Sequence, residues 1–407
     1  MKVLLSTESF PPNVSGVATA TVNLAENLTK AGHEAFVLTP GETQETTPDK
    51  GFSKYRVYRL KSIANPFRHG YRVTFVSDAE IEKLVLEIKP DIIHLQDPAT
   101  IGQALRRVGK KLGIPVVITN HFSLEYAMSY LKALSPFIPL FRATLIEYLV
   151  LFYNKCDTVV TPTETFRKQI VSWGVKKPVY AVSNGIRMEK FLTHAPDEQI
   201  DSTRTKFGLP EKPTVLYLGR IDKDKSIEVL VRAVPAVLKK VDAHFVITGT
   251  GGELERMKSL VAELKIEPHV TFIGFVDHNS PDFVDLYKNA TLFAIPSTIE
   301  TQSLVTLEAM SAGLPIVAAR AGALPELAHN GKNGYLFTPG RSDQLAARIT
   351  KILCNRKLAT KMGKESIKIA MPHQMEHAFG EMLKLYEKII QNNTKTKDLA
   401  GDKLVER

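Results

Sequence analysis

The reading of the fold turns on Lys2-Val3-Leu4-Leu5-Ser6, a helical pattern from Val17 to Ala31, and Ala35-Phe36-Val37-Leu38-Thr39. Continuous apolar runs of this length read as strands buried on both faces, and a helix between two of them is the crossover of a parallel sheet. The rhythm recurs through a helical pattern from Ala79 to Ile88, a run at Asp91-Ile92-Ile93-His94-Leu95, a helix from Gln103 to Leu112, and a run at Pro115-Val116-Val117-Ile118-Thr119. A last strand of this half is expected at Thr158 to Thr161. After the turn signal Ser183-Asn184-Gly185 the rhythm restarts with Thr214 to Leu218, a helix from Ser226 to Val241, and His244 to Thr248. Further strands are expected at Val270 to Ile273, Leu292 to Ile295, Ile316 to Ala318 and Gly334 to Phe337.

The class is therefore α/β, with two consecutive Rossmann-like, doubly wound parallel-sheet domains over residues 1–190 and 191–375. A helix over 376–391 is expected to pack back on the N-terminal domain, and 392–407 reads as a polar, frayed tail. The 407 residues suit two or three domains at roughly 150 residues each. Apolar content of 44% with 24% charged residues excludes disorder and coiled coil for the chain as a whole. The net charge of +10 calls for an anionic partner: nucleic acid, an acidic membrane surface or a phosphorylated substrate. Two cysteines, Cys156 and Cys354, are too few for a disulfide framework and fit a reducing compartment. Polarity returns after three apolar residues at the start, so no signal peptide is expected there. The apolar stretch Leu134 to Tyr153 contains Arg142, Glu147, Pro136 and Pro139 and makes a poor membrane span.

Doubly wound sheets bind ligands beyond the carboxyl ends of their strands, so the chemistry is sought there. Pro296-Ser297-Thr298-Ile299-Glu300-Thr301-Gln302-Ser303-Leu304-Val305-Thr306-Leu307-Glu308-Ala309-Met310 places Glu300 in a hydroxyl-rich loop and Glu308 about two turns into the next helix. The backbone N–H groups at that helix start suit a phosphate or a sugar hydroxyl. Taken singly, either Glu reads more simply as a capping or solvated acid. Gly249-Thr250-Gly251-Gly252 has the wrong spacing for a dinucleotide fingerprint and reads as a tight turn beside a ligand. Asp222-Lys223-Asp224 has no further ligands to complete a metal shell and reads as solvated loop.

Glu300 and Glu308 with seven residues between them, followed by Ala309-Met310-Ser311-Ala312-Gly313-Leu314-Pro315, resemble the signature of retaining glycosyltransferases of family 4, which have the GT-B fold. The resemblance extends through Phe10-Pro11-Pro12 with Ser15-Gly16, Gly32-His33-Glu34, Pro90 to His94, Asn184-Gly185-Ile186, Gly219-Arg220 with Lys225, and Phe272 to Val276. It implies two domains facing across a cleft, with Arg220 and Lys225 on the donor diphosphate in place of a metal. Glu300 would contact donor sugar hydroxyls, Glu308 the donor ribose, and His121 the transferred sugar from the N-terminal side. Gln302, Ser303 and Leu304 would offer backbone N–H groups, Gly16 close approach of the diphosphate to the backbone, Gly249 a tight turn beside the donor, and Phe275 lies where the base is read. No metal or cofactor is implied. The catalytic set is Glu300, His121, Arg220 and Lys225. Ser15 stands where a second Gly is common and Arg187 where Asp is usual.

For the acceptor, residues 1–190 hold 24 Lys+Arg against 17 Asp+Glu, and 191–407 hold 29 against 26. Six basic residues and no acid fall between Lys54 and Arg72, with Tyr55, Tyr58, Phe67 and Tyr71 among them. This run and the segment 134–153 fit contact with anionic lipid or, equally, a solvated loop and a core helix. Glu300-Thr301-Gln302 with Leu304-Val305 looks like bacterial diacylglycerol glucosyltransferases and phosphatidylinositol mannosyltransferases. That implies a hexose moved from a UDP-sugar, or from GDP-mannose as second choice, to a lipid such as diacylglycerol. The enzyme would be cytoplasmic, held peripherally at the inner face of the membrane. The alternatives are a soluble or cell-surface oligosaccharide acceptor and, in another class, a sugar-nucleotide epimerase or a non-catalytic sugar-nucleotide binder. Nucleic acid has no supporting motif.

Overall fold

A computed structural model describes residues 1–13, 15–42, 47–49, 51–65, 72–130, 137–192 and 197–405. The chain divides into two compact units. Unit 1 holds Met1–Leu124, Tyr130–Gly185 and the C-terminal segment from Glu376; unit 2 holds Ile186–Met375 with the short segment Glu125–Ser129.

Unit 1 carries strands β1 (Lys2–Ser6), β2 (Glu34–Pro40), β3 (Thr47–Asp49), β4 (Arg56–Leu60), β5 (Ser62–Ala64), β6 (Arg72–Thr74), β7 (Ile92–Leu95), β8 (Val116–Thr119), β9 (Thr158–Thr161) and β10 (Val179–Ala181). Its main sheet has the order β10-β9-β8-β7-β1-β2-β4-β3, and all neighbours are parallel except β3 with β4. Strands β5 and β6 form a separate antiparallel pair. Apolar residues alternate between two cores on either face of the main sheet, Leu4 and Ile93 facing one, Val3 and Leu5 the other. Burial on both faces explains why the strands read as continuous apolar runs.

The helix Met375–Val405 closes the second of these faces with Met382, Leu385, Tyr386 and Ile389. Tyr386 is buried and its hydroxyl bonds His94 Nδ1, while His94 Nε2 bonds Thr119 Oγ1 at 2.7 Å. Burial lowers the His94 pKa to about 3, so the ring is neutral. The polar stretch from Asn392, expected as a tail, instead continues this helix. No Gly or Pro stands between Asn392 and Gly401, and a helix already nucleated by packing extends at little cost.

Unit 2 carries β11 (Thr214–Leu218), β12 (His244–Thr248), β13 (Val270–Gly274), β14 (Leu292–Ile295), β15 (Ile316–Ala319) and β16 (Gly334–Phe337). All are parallel, in the order β13-β12-β11-β14-β15-β16. The order reverses direction between β11 and β14, which is where a sheet of this class opens a crevice. The main stretch of the unit, Ile186–Met375, begins and ends at one place, where Ile186 pairs with Gln374 and Met375 N–H donates to Ile186 O at 2.8 Å.

Candidate active site

The crevice of unit 2 is lined by the loops that follow β11 and β14. Lys225 Nζ donates to Glu300 Oε1 at 2.7 Å and to Ile299 O at 3.3 Å, which ties the two loops together. The backbone strengthens the tie, since Thr298 N–H and Thr298 Oγ1 both donate to Asp224 O, at 3.1 and 3.2 Å. A cation and an acid from opposite sides of the switch point thus stand side by side, largely screened from solvent.

The Asp222-Lys223-Asp224 element is not a solvated loop. Asp224 is 9% exposed, and its carboxylate pairs with Arg220 at 3.1 Å and Lys225 at 3.5 Å. Asp222 pairs with Arg220 and accepts Gly252 N–H at 3.0 Å. Two cations held close would repel, and Asp224 supplies the charge that lets them coexist. The signal was present in the sequence as an acid between two basic residues assigned to one anion. Tyr217, also missed, is buried and donates to Arg220 O at 2.7 Å, fixing the turn that aims the guanidinium.

Glycine is required at Gly249. Its φ is +134°, and an added Cβ would lie 1.9 Å from Gly219 O. Gly322, which sequence reasoning passed over, backs Glu300 in the same way: φ is +51° and a Cβ would meet Glu300 O at 2.4 Å.

Gln302 and Ser303 are buried, and Ser303 adopts a left-handed φ of 67° to start the helix Leu304–Ser311. The Ser303 side chain makes no cap hydrogen bond to that helix. Leu304 is partly buried against the core of the unit. Glu308 is the fifth residue of this helix, about one turn in rather than two. It belongs to a second cluster. Tyr287 OH donates to Glu308 Oε2 at 2.8 Å, and His278 Nδ1 stands 3.9 Å from Oε1. Burial pushes the Glu308 pKa up to about 7, against the opposing effect of the Tyr287 hydrogen bond. Phe275, 59% exposed, follows Gly274 at the end of β13.

In unit 1 the crevice lies between β1 and β7. His121 follows β8 and is hydrogen-bonded through Nε2 to Gln96 Oε1 at 2.8 Å. Burial lowers its pKa to about 4, leaving a neutral ring. Gly16 opens the helix Gly16–Lys30, and an added Cβ there would meet no atom within 4 Å. Ser15 stands in place of a glycine because it caps this helix, accepting Ala18 N–H at 3.1 Å. Asp97, also unanticipated, accepts Glu8 N–H at 2.7 Å, and its pKa is pushed up to about 7 by burial and then by the Glu8 charge.

The basic run from Lys54 to Arg72 is largely occupied. Lys54 pairs with Glu26 at 3.3 Å, Arg59 with Asp49 at 2.9 Å and Lys61 with Glu80 at 3.0 Å, while Arg72 donates to Gly41 O and Ser62 O at 2.9 Å. Phe67, Arg68 and Tyr71 lie outside the described residues. The segment expected over 134–153 forms the helix Ile138–Tyr153, with residues 134–136 outside the described set. Leu149, Phe152 and Tyr153 enter the core, while Leu140 (68%), Phe137 (63%) and Leu151 (54%) are exposed. No helix among the described residues is long and apolar enough to cross a membrane.

Residues 14–190 match the model of glycosyltransferase family 4, and residues 199–369 that of the glycosyl transferases group 1. The chain is 31% identical over 405 residues to the alpha-monoglucosyldiacylglycerol synthase of Streptococcus pneumoniae, covering 96% of this chain and 83% of that protein. It is 27% identical to the protein of the same name from Acholeplasma laidlawii, over 97% and 99% of the two chains. Among solved structures it is similar to Anabaena HepE in complex with UDP and glucose, with a TM-score of 0.75 at 21% identity over 95% and 100% of the two chains.

Proposed function

This chain belongs to glycosyltransferase family 4, the GT-B enzymes, and from that premise we propose that it moves a hexose from a UDP-sugar to a lipid acceptor such as diacylglycerol, with retention at the anomeric carbon. The observation that carries the donor half is the Lys225–Glu300 pair at the switch point of unit 2, flanked by Arg220. Arg220 and Lys225 take the diphosphate, where each ionic hydrogen bond contributes about 1.5 to 3 kcal/mol. They meet charge as it grows on the departing nucleoside diphosphate. The bond from the anomeric carbon to the phosphate oxygen breaks, the acceptor oxygen bonds the same face, and its proton passes to the leaving phosphate. Glu300, held by Lys225, binds donor sugar hydroxyls and is not the nucleophile. His121, neutral through burial, is assigned a hydroxyl of the transferred sugar. The lipid half is supported by two relatives named as diacylglycerol glycolipid synthases and by the exposed apolar residues of the helix Ile138–Tyr153. A screen of UDP-glucose, UDP-galactose and GDP-mannose with lipid extract, read by mass analysis of the product, tests the reading. A product formed only on soluble oligosaccharide would overturn the lipid half.

Glu308 is assigned the donor ribose, which ties donor affinity to pH. Its pKa of about 7 lies above the ordinary 4.5, so the free carboxyl is protonated below pH 7 and accepts ribose hydroxyls poorly. Donor KM is expected to fall about tenfold per pH unit as pH rises toward 7, and to level off above it. In Glu308→Gln, KM should stay high and flat across the same range. A parent KM that does not change between about pH 6 and about pH 8 would remove Glu308 from the ribose.

The membrane half has its own test. Leu140→Asp is expected to weaken binding to phospholipid vesicles by roughly 10- to 100-fold, since burying one Leu side chain is worth about 1.5 to 3 kcal/mol. The melting temperature should not change, because Leu140 is 68% exposed. Unchanged co-sedimentation would show that this helix does not touch lipid.

A further inference from the structure

The helix Arg356–Ala370 of unit 2 is two-faced. Its inner face is fixed: Gly363 lies against Gly313 O so closely that a Cβ would come within 2.0 Å, and Ser366 Oγ donates to Leu314 O at 2.7 Å. Its outer face carries Lys357, Lys361, Lys364 and Lys368, all exposed. At 3.6 residues per turn these four lysines fall within a sector of about 60° and span about 17 Å along the axis. Arg356 extends the stripe at its start. The one acid among the residues lining this face, Glu365, is taken by Lys368 at 2.6 Å. Neither Lys357, Lys361 nor Lys364 makes an ion pair among the described residues.

The stripe crowns a wider concentration of charge. Residues 341–370 hold eight Lys+Arg and two Asp+Glu, a surplus of six, although 191–407 as a whole has a surplus of only three. The other acid, Asp343, is bound by Arg341 at 2.7 Å. No large apolar side chain of this helix is exposed, so the face has nothing to insert into a hydrocarbon layer or a protein groove. A rigid row of ammonium groups over about 17 Å instead matches a surface that presents many separate anions.

We infer that the outer face of the helix Arg356–Ala370 is an electrostatic docking surface for a bilayer containing anionic phospholipid. The inference rests on the lipid-acceptor reading for its choice of partner, and it places a membrane contact on the nucleotide-binding unit. Each basic residue near such a surface strengthens binding about fivefold, and the contact weakens as salt screens it.

The test uses the full chain carrying Lys357→Gln, Lys361→Gln and Lys364→Gln together, none of which touches the donor loops. Flotation is measured with vesicles of phosphatidylcholine alone and of an equal mixture with phosphatidylglycerol, and turnover with the acceptor in neutral detergent micelles. The variant is expected to lose about a hundredfold in affinity for the mixed vesicles, with binding to phosphatidylcholine and micellar turnover unchanged. Parent-like binding to the mixed vesicles would overturn the inference and leave an acidic protein as the partner of this face. If the variant loses mixed-vesicle binding while the parent glycosylates no lipid, the docking surface stands and the lipid-acceptor reading falls.

Discussion

Lys225→Ala is expected to lower kcat by about 10² to 10³ while leaving the protein folded. Lys225 Nζ meets Glu300 at 2.7 Å and Asp224 at 3.5 Å, so its removal takes away the cation proposed for the diphosphate and leaves two acids near the same spot. Both consequences act in the same direction. A transition state that gathers negative charge loses a preorganised partner and gains uncompensated carboxylates. The side chain is only 14% exposed, so some stability is lost as well, and the two effects must be separated. Circular dichroism and melting establish the fold, and initial rates at saturating donor give kcat. Lys225→Arg keeps the charge but changes its shape, and should recover part of the loss. A variant that folds and turns over at the parental rate would take Lys225 out of the mechanism. Glu300→Ala is expected to act at the same step.

Gly249→Ala is expected to destabilise unit 2 by about 3 to 5 kcal/mol, more than a methyl added at Gly16 or Gly322. The φ of +134° costs an L-residue about 1 to 3 kcal/mol by itself. The clash at 1.9 Å is with Gly219 O, a backbone atom on the loop that carries Arg220, and it cannot swing aside as a side chain would. At about 2 to 4 °C per kcal/mol for a unit of this size, the melting transition of unit 2 should fall by roughly 10 °C. Gly16→Ala is the control. Gly16 lies at a helix start with open space before it, so its melting point should hold or rise slightly. Equal melting of the Gly249 variant and the parent would mean that the two loops are not packed as described.

The strands were the most legible part of the sequence. Thr214–Leu218, His244–Thr248, Leu292–Ile295 and Gly334–Phe337 read to the residue, because parallel strands buried on both faces leave uninterrupted apolar runs. Helix ends were less visible: the helix expected from Ser226 begins at Ile227 and stops at Leu238, since Lys239 and Lys240 continue a pattern that packing does not. The candidate site residues were picked out from type and spacing, and the structure brings Arg220, Lys225 and Glu300 into one cluster. Residues that support them were not. Asp224 reads as one more charge in a polar loop until its burial between Arg220 and Lys225 is seen, and Tyr217 reads as an ordinary strand residue. The charge was legible in amount but not in place. Lys54 to Arg72 reads as a basic run, yet Lys54, Arg59 and Lys61 are matched by Glu26, Asp49 and Glu80, which are distant in sequence. The lysines of 356–370 look scattered in one dimension and form a row only when wound into a helix.

The pairing of His94 with Tyr386 spans 292 positions of the chain, and Ile186 with Gln374 closes the ends of unit 2 upon each other. This sets an order of events during synthesis on the ribosome. The first 185 residues emerge with one face of their sheet covered only in part, by Ala25 and Leu28 of the helix Gly16–Lys30, and the rest of that face waits until Met382, Leu385, Tyr386 and Ile389 have been made. Unit 2, nearly continuous and already tied at its ends, can finish while the older unit is still incomplete. The last helix is therefore the closing piece of the first domain, and a nascent chain stalled before it would offer the cell's chaperones and proteases a half-covered apolar sheet face.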